Sequence, residues 1–366
     1  MAEPLKNLLH PGLVERMGDI IAAAYSGFDR ARFVVIAVQD MASLELMQRA
    51  QQIRAALVET LPRGFAQAAA ILKASLPSAE RPGLTGWELL PVNQFIAEKG
   101  LDHLDLSLGL LKALTPHFTA EFGIRAFIHK DQGRSLATIL DWVNDANHHV
   151  RRLASEGTRP RLPWAMRLPA LVRDPQPILP ILTALIDDPE DYVRRSVANS
   201  LNDIAKDHPD LVATFVRDAM IDASPQRRQL LRHASRTLLK KGHGDALANF
   251  GFAPAAGISA SILIETPSVI FGEHLGFTLT LSNEGASPQR LMIDYAVHHR
   301  KANGSLAPKV FKWTSLELGA GESVTMARRH AMRAITTRQY YPGAHRIEIL
   351  VNGAVLAGGD FELVMS

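Results

Sequence analysis

The chain has 366 residues, is 47% hydrophobic and carries a formal net charge of +3. That length is enough for two or three domains with full cores. Cysteine is absent, which excludes disulfides and thiolate chemistry and fits a reducing cytosol. The apolar runs, such as residues 178–186, are too short to span a bilayer, and no basic n-region precedes an apolar h-region, so neither a membrane span nor a signal peptide is expected.

Residues 1 to about 128 read as helices. Leu5, Leu8, Leu9, Leu13, Val14, Met17, Ile20 and Ile21 form an apolar stripe at helical spacing. The pattern continues over 33–38, 44–61, 87–97 and 104–114. A further helix is expected to open at Pro116, with Glu121 in its first turn, where a carboxylate suits the helix dipole.

Residues 131 to 250 read as a repeat array. Val150-Arg151-Arg152 returns 43 residues later as Val193-Arg194-Arg195, and Asp145 and Asp188 each stand five residues before the valine. A period of about 40–47 residues with paired helices is the mark of HEAT repeats, which stack into a solenoid with a concave face. A third unit, carrying Arg227-Arg228, matches at a different offset. The clearest helix runs from Asp188 as cap, through Pro189 in the first turn, to His208-Pro209. Val193, Val197, Leu201, Ile204 and Ala205 form its apolar side. Arg195, Asn199, Asn202, Asp203 and Lys206 form its polar side, and Arg194 falls among the apolar residues.

After a linker over 251–257 the period changes from 3.6 to 2. Phe277, Leu279 and Leu281 alternate with threonines, and Asn352-Gly353 is a strong hairpin signal. Seven or eight short strands over 258–366 predict an immunoglobulin-like sandwich. The expected architecture is therefore multidomain: an all-α HEAT-like solenoid (1–250) followed by an all-β sandwich (258–366).

No nucleotide-binding loop, zinc-protease motif or nucleophile elbow occurs. The pairs His148-His149 and His298-His299 read as surface histidines, since neighbouring residues do not share a face. No metal or cofactor is expected. Arginines crowd the repeats, and equivalent repeat positions point the same way, so their charge adds along a track suited to phosphates. The expected contacts are Arg151, Arg152, Arg159, Arg161, Arg195, Lys206, Arg228, Arg232 and Arg236, with Asn199 as a positioning group. Trp164, in the run Arg161-Leu-Pro-Trp-Ala-Met-Arg167, either stacks on a base or sugar or fills the core beneath the repeat. Glu121, Glu156 and Asp203 are the acids nearest the basic stretches.

The run from Val193 to Pro209 and the Arg161-Leu-Pro-Trp164 segment resemble the AlkC branch of the bacterial DNA alkylation-repair glycosylases, relatives of the AlkD branch built from HEAT-like repeats. The likeness covers residues 1 to about 250, and some members add an immunoglobulin-like domain. It implies a monofunctional glycosylase acting on cationic alkylated bases, 3-methyladenine and 3-methylcytosine, in double-stranded DNA without extruding the base. It also implies site residues at Glu121, Trp164 and Asp203, with Glu156 as substitute for Glu121. A cytoplasmic monomer with no obligate protein partner is the expectation. The sandwich, with ten basic and nine acidic residues, reads either as a passive appendage or as a clamp on the duplex. A non-catalytic HEAT scaffold, binding protein or DNA, is the competing reading.

Overall fold

The computed structural model describes residues 4–336 and 338–365. It divides into two compact units, Met1–Asp207 and His208–Ser366.

The first unit is helical: α1 Pro11–Ala24, α2 Arg30–Val38, α3 Leu46–Thr60, α4 Phe65–Ala74, α5 Leu89–Lys99, α6 Leu104–Leu114, α7 Ile124–Lys130, α8 Gln132–Asp141, α9 His148–Gly157, α10 Pro169–Arg173, α11 Leu179–Ala184 and α12 Asp191–Ile204. Short polar residues start several of them. Asp29, Asp131 and Asn147 each accept a backbone N–H of the first turn. Apolar residues at helical spacing, among them Phe33, Leu57, Leu72 and Phe127, are fully buried. None of the described helices is long and apolar enough to cross a membrane.

The 43-residue echo is a geometric repeat. Arg151 Nη1 donates to the carbonyls of Asp145 and Ala146 at 2.9 and 3.1 Å. Arg194 Nη1 donates to the carbonyls of Asp188 and Pro189 at 2.6 and 2.8 Å. Arg228 Nε, in the loosely matching third unit, reaches the carbonyl of Ala223, again five residues back, at 3.0 Å. One arginine of each unit thus clasps the turn before its own helix. Asp188 does not cap α12 as expected: it closes a turn by accepting from Glu190 N (2.9 Å), and Glu190 takes the N-cap position.

The second unit opens with α13 Pro209–Ala219, α14 Pro225–Ala234, α15 Arg236–Lys240 and α16 Gly244–Ala248. Eight strands follow: β1 Ile258–Ile264, β2 Ser268–Ile270, β3 His274–Asn283, β4 Gln289–Arg300, β5 Leu306–Leu318, β6 Ser323–Ala331, β7 Gly343–Val351 and β8 Ala354–Val364. They form a three-stranded sheet, β1-β3-β6, and a five-stranded sheet, β2-β8-β7-β4-β5. Alternating residues of β3, β4 and β7 fill the core between them, with Phe277, Tyr295 and Ile349 buried. Asn352 and Gly353 turn β7 into β8 with φ of 47° and 81°, the left-handed pair that a tight hairpin demands.

The change from helix to strand falls between Ala248 and Ile258, whereas the packing divides some forty residues earlier. The reason is a small core that Leu239, Leu247 and Phe252 share with Met292 of β4. Asn352 Nδ2 adds a bond to the Ala253 carbonyl at 2.7 Å. The backbones of Gly242 and Gly353 also meet so closely that a Cβ on Gly242 would lie 2.7 Å from Gly353 Cα.

Candidate active site

Helices α9 and α12 pack against each other and carry two of the candidate carboxylates, Glu156 and Asp203. Asp203 was expected on the wet side of its helix. It is instead 2% exposed. Ser196 on the same flank bonds Ser155 and Glu156 of α9, and the buried arc of α12 takes in Ser196, Ser200 and Asp203. A carboxylate in such a place needs cations. Arg159 Nε donates to Asp203 Oδ2 at 2.8 Å and Lys206 Nζ to Oδ1 at 2.7 Å.

The same guanidinium serves Glu156. Arg159 Nη1 lies 2.6 Å from Glu156 Oε1, and Ser196 Oγ donates to Oε2 at 2.7 Å. Ser155 Oγ lies 2.6 Å from Ser196 Oγ, which extends the chain of hydroxyls across the two helices. Glu156 and Arg159 are both buried.

Glu121 sits in a turn ahead of α7 and not inside a helix as expected, because the chain from Phe118 to Gly123 leaves helical geometry. Its Oε2 accepts from Arg152 at 2.5 Å and from Thr119 Oγ1 at 2.9 Å. Arg152 also reaches Glu156 at 3.5 Å and lies over the ring of Tyr192, 5.0 Å from its centroid. Burial pushes the Tyr192 phenol above its ordinary value. Glu156 and Asp203 have both carboxylate oxygens engaged. Oε1 of Glu121 accepts no hydrogen bond from the described residues, which leaves it available to a ligand.

Glu121 and Trp164 line one cleft of about 370 Å³. Its remaining wall is mainly apolar, with Trp87, Phe118, Phe122, Leu162 and Pro163. Trp87 and Phe118 stack obliquely with centroids 5.4 Å apart. Glu156 and Arg159 lie at the edge of this cleft, and Asp203 stands behind them. Trp164 is 75% exposed, so it is not the core residue that the sequence also allowed. Its φ of +63° is left-handed, which costs a residue other than glycine about 1–2 kcal/mol. An exposed indole in a strained conformation is held there by its surroundings.

Arg125 does the holding. It is 1% exposed, and burial, together with the neighbouring Arg159, lowers its pKa to about 10. It donates to the carbonyls of Gly157, Arg159 and Met166. Sequence reasoning missed Arg125, because its acceptors lie over thirty residues away.

The arginine track divides in two. Arg151 is spent: it bonds bidentately to Asp188 at 2.6 and 3.1 Å and clasps two carbonyls. Arg159 is buried between carboxylates, and Arg161 pairs bidentately with Asp207 at 2.7 Å. Arg152 serves Glu121. For these four the expected phosphate contact conflicts with the partners that already fill the guanidinium. Arg228 is exposed but gives Nε to a carbonyl, and Arg236 gives Nη1 to the carbonyl of His233. Arg195 is 66% exposed and pairs with Asp191, Lys206 is 42% exposed, and Arg232 is exposed over the ring of Phe250. Asn199 is half-buried. Arg167 and Arg173 flank the Trp164 loop, are exposed, and form no ion pair among the described residues.

The histidine pairs are not both surface features. The rings of His148 and His149 lie 4.1 Å apart beside Tyr192. His298 bonds Glu348 at 2.8 Å, whereas His299, one step along β4, points inward and is buried. No cluster that could hold a metal ion occurs among the described residues.

Comparison with known proteins fits this arrangement. The family model described as DNA alkylation repair enzyme matches residues 118–238, which include every site carboxylate and Trp164. The C-terminal Ig-like domain of the uncharacterised protein YhaZ matches residues 259–365. A solved structure, the Pseudomonas fluorescens alkylpurine DNA glycosylase AlkC bound to DNA containing an abasic site analog, is 35% identical. It covers 99% of this chain and 100% of its own, with a TM-score of 0.85. The chain belongs to the AlkC branch of the DNA alkylation repair enzymes. The chain is also similar to the uncharacterized protein YhaZ of Bacillus subtilis (strain 168). It is 37% identical over 361 residues, 98% of this chain and 99% of that one.

Proposed function

We infer that this AlkC-type protein is a monofunctional DNA glycosylase of base excision repair. It hydrolyses the N-glycosidic bond of cationic alkylated bases, 3-methyladenine and 3-methylcytosine, in duplex DNA without extruding the base. The observation that carries this reading is the cleft: Glu121, with a carboxylate oxygen uncommitted, lines it together with the exposed Trp164.

A base methylated on a ring nitrogen is already positively charged and leaves without a proton donor. The deoxyribose it leaves behind develops oxocarbenium character, which a carboxylate beside it stabilises, and the same group can orient the attacking water. Glu121 has the free oxygen for both tasks. The face of Trp164 adds a cation–π contribution against the sugar. Glu156 and Asp203, whose oxygens are filled, act through the field of their buried network and hold Arg159 in place. Arg195, Lys206, Arg232, Arg167 and Arg173 are the cations left for phosphates. The enzyme is taken to act as a cytoplasmic monomer on nucleoid DNA.

The test is incubation with methylated duplex DNA and chromatography of the released bases. Free 3-methyladenine and 3-methylcytosine are expected, while an uncharged 7-deazaadenine stays attached. Release of neither 3-methyl base removes the enzyme reading and leaves a non-catalytic DNA-binding role.

A further inference from the structure

Trp164 stands at the tip of an eleven-residue loop, 158–168, between α9 and α10. The loop carries two prolines, and Leu162 and Leu168 anchor its base in the core. Leu168 N bonds the Pro160 carbonyl at 3.2 Å, which draws its two ends together. Beneath it lies Arg125. Nη1 donates to the carbonyls of Gly157 at 3.0 Å and Arg159 at 2.7 Å on the incoming side. Nε donates to the carbonyl of Met166 at 2.6 Å on the outgoing side. One planar guanidinium therefore fixes both ends of the loop at once from a rigid fork of donors, where a lysine would offer a single flexible point charge.

The element that carries Arg125 matters as much as its bonds. Arg125 is the second residue of α7, and Glu121 lies in the turn that leads into α7, four residues earlier. Ile124 N bonds the Ala120 carbonyl, so turn and helix are one piece. Gly157 lets α9 end directly against α7, since a Cβ there would overlap the Ile124 side chain. The carboxylate and the indole that line the cleft are thus tied through a single side chain.

We propose that Arg125 is a positioning residue that sets the spacing between Glu121 and Trp164, and that it acts on base excision through Trp164 without touching DNA. The proposal rests on the glycosylase reading above. It explains how an exposed tryptophan keeps a left-handed backbone between the two ends of its loop. It also explains why a buried arginine spends its donors on three loop carbonyls and leaves Nη2 without a partner among the described residues.

The experiment compares the full-length wild type, Arg125→Lys, Trp164→Ala and the double variant in single-turnover excision of 3-methyladenine, with DNA affinity measured alongside. A displacement of about 1 Å in a reacting constellation costs roughly 100-fold. Arg125→Lys is expected to lose about 10- to 100-fold in rate at unchanged DNA affinity, and to lose nothing further in the Trp164→Ala background. A glycine inserted between Trp164 and Ala165 leaves Arg125 and the core untouched and is expected to reproduce the Trp164→Ala loss. It keeps the test decisive should Arg125→Lys fail to fold. The proposal is overturned if Arg125→Lys or the insertion excises at the wild-type rate, or if the Arg125 and Trp164 losses multiply. An inactive wild type would overturn the glycosylase reading itself, and this inference with it.

Discussion

Arg159 and Asp203 join two helical repeats through a bond of 2.8 Å, and neither side chain is open to solvent. The pair sits 44 residues apart in sequence, and Glu156 shares its guanidinium. A buried pair of this kind contributes little net energy while intact, but removing one partner strands a charge at a cost of about 3–5 kcal/mol.

Arg159→Met should therefore be strongly destabilised, which a shift in the denaturant midpoint will show. Asp203→Asn keeps the shape and loses the charge. It should cost about 1–3 kcal/mol of stability. It should also slow base release about 100-fold at unchanged DNA affinity. If Asp203→Asn releases 3-methyladenine as fast as the wild type, Asp203 has no part in the chemistry.

Trp164 gives the opposite signature. Its side chain is exposed and its backbone is left-handed, so Trp164→Gly removes strain and little packing. The melting temperature should hold or rise slightly while excision falls. A variant that melts well below the wild type would show that the indole supports the fold.

The basic residues separate by how far their side chains are exposed. Arg195→Ala, Lys206→Ala and Arg173→Ala should weaken binding to undamaged and methylated duplex alike. Each should reduce the salt dependence by about one unit of log–log slope if it neutralises one phosphate. Arg151→Ala should leave that slope unchanged and lower the unfolding free energy, because its partner Asp188 is buried. A reduced slope for Arg151→Ala would place it on the DNA after all.

The sandwich should be acid-labile. Burial holds His299 at about 3 and His330 at about 4, below the ordinary 6.5 of an unfolded chain. Below pH 6.5 the unfolded state then binds more protons than the folded one. Stability is fully present above that pH and is lost as the pH falls toward 4, by up to about 1.4 kcal/mol per pH unit for each histidine. Thermal melts between pH 7 and pH 4.5 would show the decline. His299→Phe, which keeps a ring against Tyr340 at 5.4 Å, should flatten it.

The sequence alone determined the succession of helices and strands, the 43-residue repeat and the Asn352-Gly353 hairpin. All three are set by local spacing and local backbone chemistry, which a linear pattern records. The same pattern marked Glu121, Trp164 and Asp203 as a set, because their motifs resemble those of AlkC proteins. Only the tertiary structure decided where each lies and what it touches. Asp203 was read from its own helix as solvent-facing and is buried, since burial depends on the packing of α9 against α12, which Ser196 joins by its bonds to Ser155 and Glu156. Arg151 and Arg161 were read as phosphate contacts and are paired with Asp188 and Asp207, which lie 37 and 46 residues away along the chain and so beyond any local pattern. Arg125 left no mark in the sequence at all: its acceptors are backbone carbonyls, which every residue has, and only folding brings three of them to one guanidinium.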